Sequence, residues 1–302
     1  LAVGHEEQPL VGKEIAVRPG SAADAPLDPD ATVLVLGTGL SMVDAWLALA
    51  ARGHRGKVVA LSRRGLLPSL QRKGRPIRLD SADVPLGTDL SYFIRWFRDL
   101  VRETERHGGD WRDVVDGIRP FNQLIWRSWP AGAKKRFIEH TRAWWDIHRH
   151  RMPPALHERI SAALADRRLE LVAGKLLSAH QDGDAVETSI RRRGADTPET
   201  LRVARIYDCT GITADLATGS NPAVRSLLDR GLARPDPLHI GLDVTDGCAI
   251  VRADGKPSER LYAIGPLTRG AFFEIEAIAD IRTQVAALAK RLTAQARMAQ
   301  AG

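Results

Sequence analysis

Cysteine is scarce in this chain: Cys209 and Cys248 are the only two in 302 residues, and they stand in unrelated contexts with no CxxC or zinc-type spacing. Their rarity excludes a disulfide framework and a paired-thiol redox centre, reads both as small buried residues, and fits a reducing, cytoplasmic setting. No apolar run approaches the roughly 18 residues of a spanning helix, so no membrane partner is expected. A secretory leader is not visible either. The chain shows no internal repeat at a solenoid period and no low-complexity tract. With 44% hydrophobic and 27% charged residues it is not a disordered chain. The first residue is Leu1, not Met, within what reads as a strand end, and this points to a piece of a longer protein.

What is present is a basic balance, 44 Lys+Arg against 37 Asp+Glu for a formal net charge of +7. Such a surface attracts phosphorylated ligands. Six of the seven tryptophans, Trp96, Trp111, Trp126, Trp129, Trp144 and Trp145, fall between Leu66 and Met152 among Arg and His. Interleaved aromatics and arginines can bind nucleic acid, but helical spacing puts these rings on one face, so core packing is preferred and nucleic acid is set aside. His148, His150 and His157 have no Cys or carboxylate companions at ligand spacing; they read as a basic surface patch, and no metal is expected.

The run Thr32-Val33-Leu34-Val35-Leu36 has the continuous apolar character of a parallel strand buried on both faces. The chain turns at Gly37-Thr38-Gly39, follows a helical pattern from about Leu40 to Arg52, stops at Gly53 and enters a second apolar strand, Lys57 to Ser62. This is a βαβ start. Ahead of it, Leu1 to Gly4 reads as a strand end and the residues to Asp30 as a linker. Beyond it, Leu90 to Glu105 and Ala133 to His148 pattern as helices of an inserted layer. After Pro153-Pro154 come a short helix, the strand Leu169 to Val172, and an antiparallel meander over Leu176 to Ala179, Ala185 to Arg191 and Leu201 to Ala204, with turns at Asp182-Gly183 and Gly194. Arg205 to Gly211 reads as a return strand. In the last third, strand Leu261 to Ile264 leads through the loop Gly265 to Gly270 into a long helix whose Ile278, Ile281, Val285, Leu288 and Leu292 share one face.

The strongest chemical signal is the strand, Gly37-x-Gly39 and helix in series. Gly37 permits a tight turn, Gly39 lets backbone approach a pyrophosphate, and the helix N-terminus at Leu40 and Ser41 presents N–H groups and positive potential to it. Gly37, Thr38, Gly39, Leu40 and Ser41 are therefore candidate cofactor-binding residues. The third glycine of a GxGxxG motif would fall at Met42. At the end of the second strand an NAD site wants an acidic residue for the ribose hydroxyls; here stands Ser62-Arg63-Arg64, whose hydroxyl and guanidinium groups suit the 2′-phosphate of NADP(H). An ordinary basic turn is the alternative. A second candidate is the loop of Gly265, Pro266, Leu267 and Thr268, which can offer N–H groups to a ligand such as a reduced isoalloxazine ring, or be a plain strand-to-helix turn. Arg269 and Glu274 stand there as ligand contacts or as a salt-bridged turn.

VLVLGTGLSMVD at Val33 to Asp44, LSRRGLLP at Leu61 to Pro68, DIHRHRMPP at Asp146 to Pro154, DCTG at Asp208 to Gly211 and LYAIGPLTRGAFFEIEAIADIR at Leu261 to Arg282 together resemble the bacterial FAD-NAD(P)-binding oxidoreductases, a branch of the two-dinucleotide-binding flavoprotein superfamily. The resemblance covers nearly the whole chain. It implies an α/β fold: a Rossmann-like NAD(P)-binding domain with a helical insert, plus an incomplete FAD-binding Rossmann-like domain. On that mapping residues 1–30 end an FAD-domain segment and its linker, 31–210 form the NADP-binding domain with the insert at about 66–152, and 211–302 return to the FAD-binding domain. Leu1 to His5 and the DCTG segment, with Gly211, correspond to the two crossovers, and the Gly265 loop to the flavin-contacting loop. Two departures stand out: Pro266 follows Gly265 where the superfamily usually has Asp, and no FAD-type GxGxxG precedes Leu1 in these residues.

The resemblance implies NADP(H) and FAD as cofactors and hydride transfer from NADPH to flavin and on to an unknown acceptor, a reaction that asks little of side chains beyond orientation and electrostatics. No catalytic side chain is assigned. The competing readings are an NADPH-dependent flavin monooxygenase of the N-hydroxylating type and a non-catalytic NADPH-binding module.

Overall fold

The computed structural model describes residues 1–4, 15–21, 24–210, 216 and 221–301, without the side chains of 298–301. It divides the chain into two compact units, one of Pro9–Arg75 with His140–Gly211 and the other of Leu1–Gln8, Pro76–Glu139 and Ile212–Gly302.

The first unit is built on a seven-stranded sheet. Its strands are β1 (Ala16–Val17), β2 (Val33–Leu36), β3 (Val58–Ser62), β4 (Leu169–Asp182), β5 (Ala185–Arg192), β6 (Glu199–Val203) and β7 (Arg205–Asp208), in the order β1-β7-β2-β3-β4-β5-β6. β1, β7, β2, β3 and the start of β4 run parallel, whereas β4, β5 and β6 form the antiparallel meander. The unbroken apolar run of β2 is explained by its position: all four residues are buried because strands flank it on both sides and side chains cover both faces. Helix α1 (Leu40–Ala51) joins β2 to β3 and presents Met42, Val43, Trp46 and Leu49 to a core that includes Val33, Val35, Ile160, Leu169 and Tyr207. Met42, where a third glycine would allow closer helix packing, instead fills this core at 0% exposure. Helix α7 (Pro154–Ala165) returns the chain to the start of β4 and adds Ile160 and Ala163 to the same core.

The linker before β2 is tied down by one carboxylate. Asp24, its side chain 2% exposed, accepts from Tyr207 Oη (2.7 Å), Arg52 Nη1 (2.7 Å), Arg205 Nη1 (2.9 Å) and the Gly20 N–H (2.9 Å). Burial alone would raise its pKa, but the bonds from Gly20, Tyr207 and Arg52 outweigh it and hold the carboxyl below its ordinary range.

The second unit takes helices α2 (Leu90–Arg106), α3 (Trp111–Ile118), α4 (Asn122–Ser128), α5 (Ala131–Arg136), α8 (Pro222–Asp229) and α9 (Ile278–Ala301), with the antiparallel pair β8 (Ala249–Val251) and β9 (Pro257–Tyr262). Leu1 forms no strand of its own, but its amino group donates to Tyr262 O and its carbonyl accepts from the Ile264 N–H, so it lies alongside the end of β9.

The helical insert is placed differently from the expectation. Residues 76–139 belong to one compact unit with the described residues of 212–302. The aromatic face explains it. Trp126 stacks on Phe273 at 4.7 Å and donates its indole N–H to Gly270 O at 2.8 Å, Phe137 meets Phe273 edge-on, and Asn122 donates to Glu274 Oε2. The partners that bury this face lie in the last third of the chain. The helix expected over Ala133 to His148 is broken into α5, a π-turn over Phe137–Thr141 and α6 (Arg142–Arg149), and the division between the units falls inside the π-turn.

Helix α9 also differs in its packed face. Ile278 is 86% exposed, Val285 40% and Leu292 37%, while Gln284 is 6% exposed. No helix of the described residues is long and apolar enough to cross a membrane, and no group of three or more His, Cys, Asp or Glu among them is placed to hold a metal ion.

Candidate functional site

The first unit carries the dinucleotide candidate at the carboxyl ends of β2, β3 and β7. Here the sheet order reverses: α1 carries the chain from β2 to β3 on one side, while β7 returns on the other. In open parallel sheets the crevice at such a point receives the ligand.

Gly37 and Gly39 have separate physical roles. Gly37 sits at φ +107°, and a Cβ there would lie 2.3 Å from Cys209 O, so it is required by the close approach of β2 and β7. Gly39 caps α1 with extended backbone (φ −82°, ψ −165°), and a Cβ there would meet nothing within 4 Å. Gly39 is thus free of the steric demand that fixes Gly37, and it stands at an N-cap, a position where glycine is favoured. No side chain caps α1, and its first turn holds no acidic residue. Gly39, Leu40 and Ser41 are exposed, which leaves this helix end accessible to an anion.

Thr38 and Ser62 fall elsewhere in this geometry. Thr38, 5% exposed, donates its hydroxyl to Leu66 O at 2.5 Å and lies 2.9 Å from Ser62 Oγ. With the Thr38 proton committed to Leu66, Ser62 donates to Thr38 and itself accepts from the Gly65 N–H at 2.9 Å. The two hydroxyls therefore shape the turn after β3. Arg63 is exposed; Arg64 is half-buried and donates to His140 O at 3.1 Å, which anchors its guanidinium.

β7 ends in an Asx turn in which Asp208 accepts from the Thr210 N–H and hydroxyl. Gly211 lies outside the described residues. Cys209 gives its thiol to Ser41 O at 3.4 Å, and burial, with the Asp208 and Asp44 charges, pushes its pKa up to about 12. It stays a thiol, unsuited to nucleophilic or redox work.

The second unit holds the loop after β9, which forms a 3-10 turn, Gly265–Thr268. Its polar groups close on one another. The Gly265 N–H donates to Gln284 Oε1 at 2.7 Å, Gln284 Nε2 donates to Thr268 Oγ1 at 2.9 Å, and Thr268 Oγ1 donates to Gly265 O at 2.8 Å. Gly265, Leu267 and Thr268 are buried and Pro266 is half-buried. Arg269 donates to Ile240 O. Gln284 is a residue that sequence reasoning missed: it occupies the inward face of α9 between Ile281 and Leu288, where a polar residue in an apolar stripe was the available signal. The Gly265 N–H and the Thr268 hydroxyl thus brace the loop against α9.

No family model matches the chain. An uncharacterized protein of Mycobacterium tuberculosis is 31% identical over 139 residues, covering 43% of this chain and 25% of that protein. The chain thus matches about a quarter of the length of its curated relatives. Among solved structures it is similar in fold to the ornithine N-hydroxylase of Kutzneria sp. 744 bound to reduced FAD, NADP+ and L-ornithine, with TM-score 0.61, 13% identity and coverage of 97% of this chain and 63% of that one. It is similar also to the reduced form of ornithine hydroxylase from Pseudomonas aeruginosa, with TM-score 0.54, 12% identity and coverage of 96% and 60%. At such identities the likeness is one of fold: a mixed α/β chain of the Rossmann type shared with flavoproteins.

Proposed function

We propose that the chain is an NADP(H)- and FAD-dependent oxidoreductase whose first unit binds NADPH across the carboxyl ends of β2 and β3. The observation that carries the nucleotide reading is the open N-terminus of α1 at Gly39, uncapped, exposed and with space where a Cβ would stand. Phosphate oxygens there accept from free helix N–H groups in a favourable potential. Arg63 and Arg64, at the end of β3, supply charge-assisted donors for the 2′-phosphate, and the bond to His140 O limits the entropy Arg64 loses on binding.

Support for the nucleotide comes from the open end of α1 and the arginines after β3. Support for FAD comes from the fold likeness and from the sequence resemblance. FAD, when bound, supplies a two-electron acceptor for the nicotinamide hydride. The contribution of this chain's residues is to bind and orient the nucleotide.

Incubating the purified chain with FAD and adding NADPH under anaerobic conditions tests the reading. A retained flavin spectrum that bleaches is expected. A colourless protein that still binds NADPH would replace the oxidoreductase with a nucleotide-binding module. The fold likeness to ornithine hydroxylases favours a second reading, an N-hydroxylating flavin monooxygenase. Oxygenated product formed in step with NADPH oxidation, rather than hydrogen peroxide, would select it.

Replacing Arg63 and Arg64 together with Ala is expected to weaken NADPH binding on the order of a hundredfold and to leave NADH binding within about threefold. Parallel titrations with the two nucleotides check it, and an equal loss for both would remove the 2′-phosphate assignment.

A further inference from the structure

We propose that Trp144 is the stacking platform for the adenine ring of NADP(H), an inference that rests on the nucleotide reading above. Helix α6 belongs to the same unit as β3, and the segment that contains it, from His140 to Met152, is laced to the strip of chain leaving β3. Arg64 donates to His140 O at 3.1 Å, the Ser69 N–H to Ile147 O at 2.9 Å, the Met152 N–H to Ser69 O at 2.8 Å and the Gln71 N–H to Met152 O at 2.6 Å. α6 therefore flanks the carboxyl end of β3, where the adenosine ribose of a Rossmann-bound dinucleotide is held.

On this helix Trp144 is the exposed position. It leaves 46% of its surface in water, whereas the other seven residues of α6 are half-buried. Of the two tryptophans on this helix Trp145 is half-buried, and leaving Trp144 exposed runs against the hydrophobic effect unless another flat apolar surface covers it. Charge complementarity identifies that surface. Trp144 lies four residues, about one helical turn, beyond His140, whose carbonyl anchors the Arg64 guanidinium. On this proposal a ligand with its phosphate on Arg63 and Arg64 lays its base on the indole. Arg142 does not compete for the ring through a free guanidinium, since it pairs with Asp146 at 3.4 Å. An indole accepts any purine face and needs no hydrogen-bond match, so the arginines select the 2′-phosphate and Trp144 adds affinity.

Calorimetric titration of the whole chain with NADP+ tests the assignment, using Trp144→Ala and Trp144→Phe beside the unaltered protein. Trp144→Ala is expected to weaken NADP+ binding about tenfold with an unchanged melting temperature, and Trp144→Phe to restore most of the affinity. Binding by Trp144→Ala equal to that of the unaltered chain overturns the platform while leaving the nucleotide reading intact. Equal losses in the Ala and Phe variants, or a lowered melting temperature that accounts for the loss, overturn it as well. Absence of NADP+ binding by the unaltered chain removes the platform together with the reading beneath it.

Discussion

Gly37→Ala is expected to lower the melting temperature by roughly 10 °C, whereas Gly39→Ala, two residues away, melts like the parent and loses NADP+ affinity by at least about tenfold. The two glycines differ in what surrounds them. At Gly37 the backbone is left-handed and an added Cβ would stand 2.3 Å from Cys209 O, which is backbone directly after β7, tied to β2 by the Cys209 N–H bond to Leu36 O, and cannot move aside without parting the two. Strain and overpacking at such a position cost on the order of 3 kcal/mol or more, a large share of a domain's stability. At Gly39 the backbone conformation is open to any residue and a Cβ meets nothing. A methyl group there obstructs only a phosphate approaching the α1 N–H groups. Melting curves and NADP+ titrations of both variants separate the roles, and a Gly39→Ala variant with parental affinity would place the phosphate elsewhere.

Asp24→Asn is expected to cost about 3 kcal/mol at pH 7, read as a lowered denaturation midpoint. Asn cannot match the charge of Arg205, whose side chain is 16% exposed. Removing one partner from a buried pair leaves the other charge without compensation. The figure is taken at the low end because Arg52, at 46% exposure, returns to water at little cost. The pH dependence has a definite sign. The folded-state pKa of Asp24 lies below its ordinary 3.8, so its contribution is fully present above that pH and is lost as the pH falls through the lower folded value. Denaturation curves at successive pH values below 4 should therefore converge for the parent and the variant. A constant gap throughout would assign the loss to packing instead of charge.

Much of the first unit was legible from residue order because its signals are local. An unbroken apolar run bounded by glycine reads as a strand flanked on both sides, as β2 proves to be, and the alternation after Leu176 reads as the meander of β4, β5 and β6. Gly37, Gly39, Arg63 and Arg64 were visible for the same reason: each is set by its place relative to β2 or β3, within a few residues. Thr38 and Ser62 were placed in the right turn, but their bonding was not legible. Whether a hydroxyl faces a ligand or a carbonyl depends on where Leu66 and Gly65 fold back.

Periodicity identified one face of the insert as apolar without saying what would cover it. The answer lies some 150 residues further on, where Gly270 and Phe273 meet Trp126, and it puts residues 76–139 in the second unit. Likewise α9 shows an apolar stripe in sequence, yet the structure turns Gln284 inward to hold Gly265 and Thr268 and leaves Ile278 in water. Residue order thus determined the strands, the helices and the glycine-rich turn, because their physics acts between near neighbours. The tertiary fold alone decided the partner of each apolar face and the use of each polar group, because burial and hydrogen bonding are settled by residues distant in the chain.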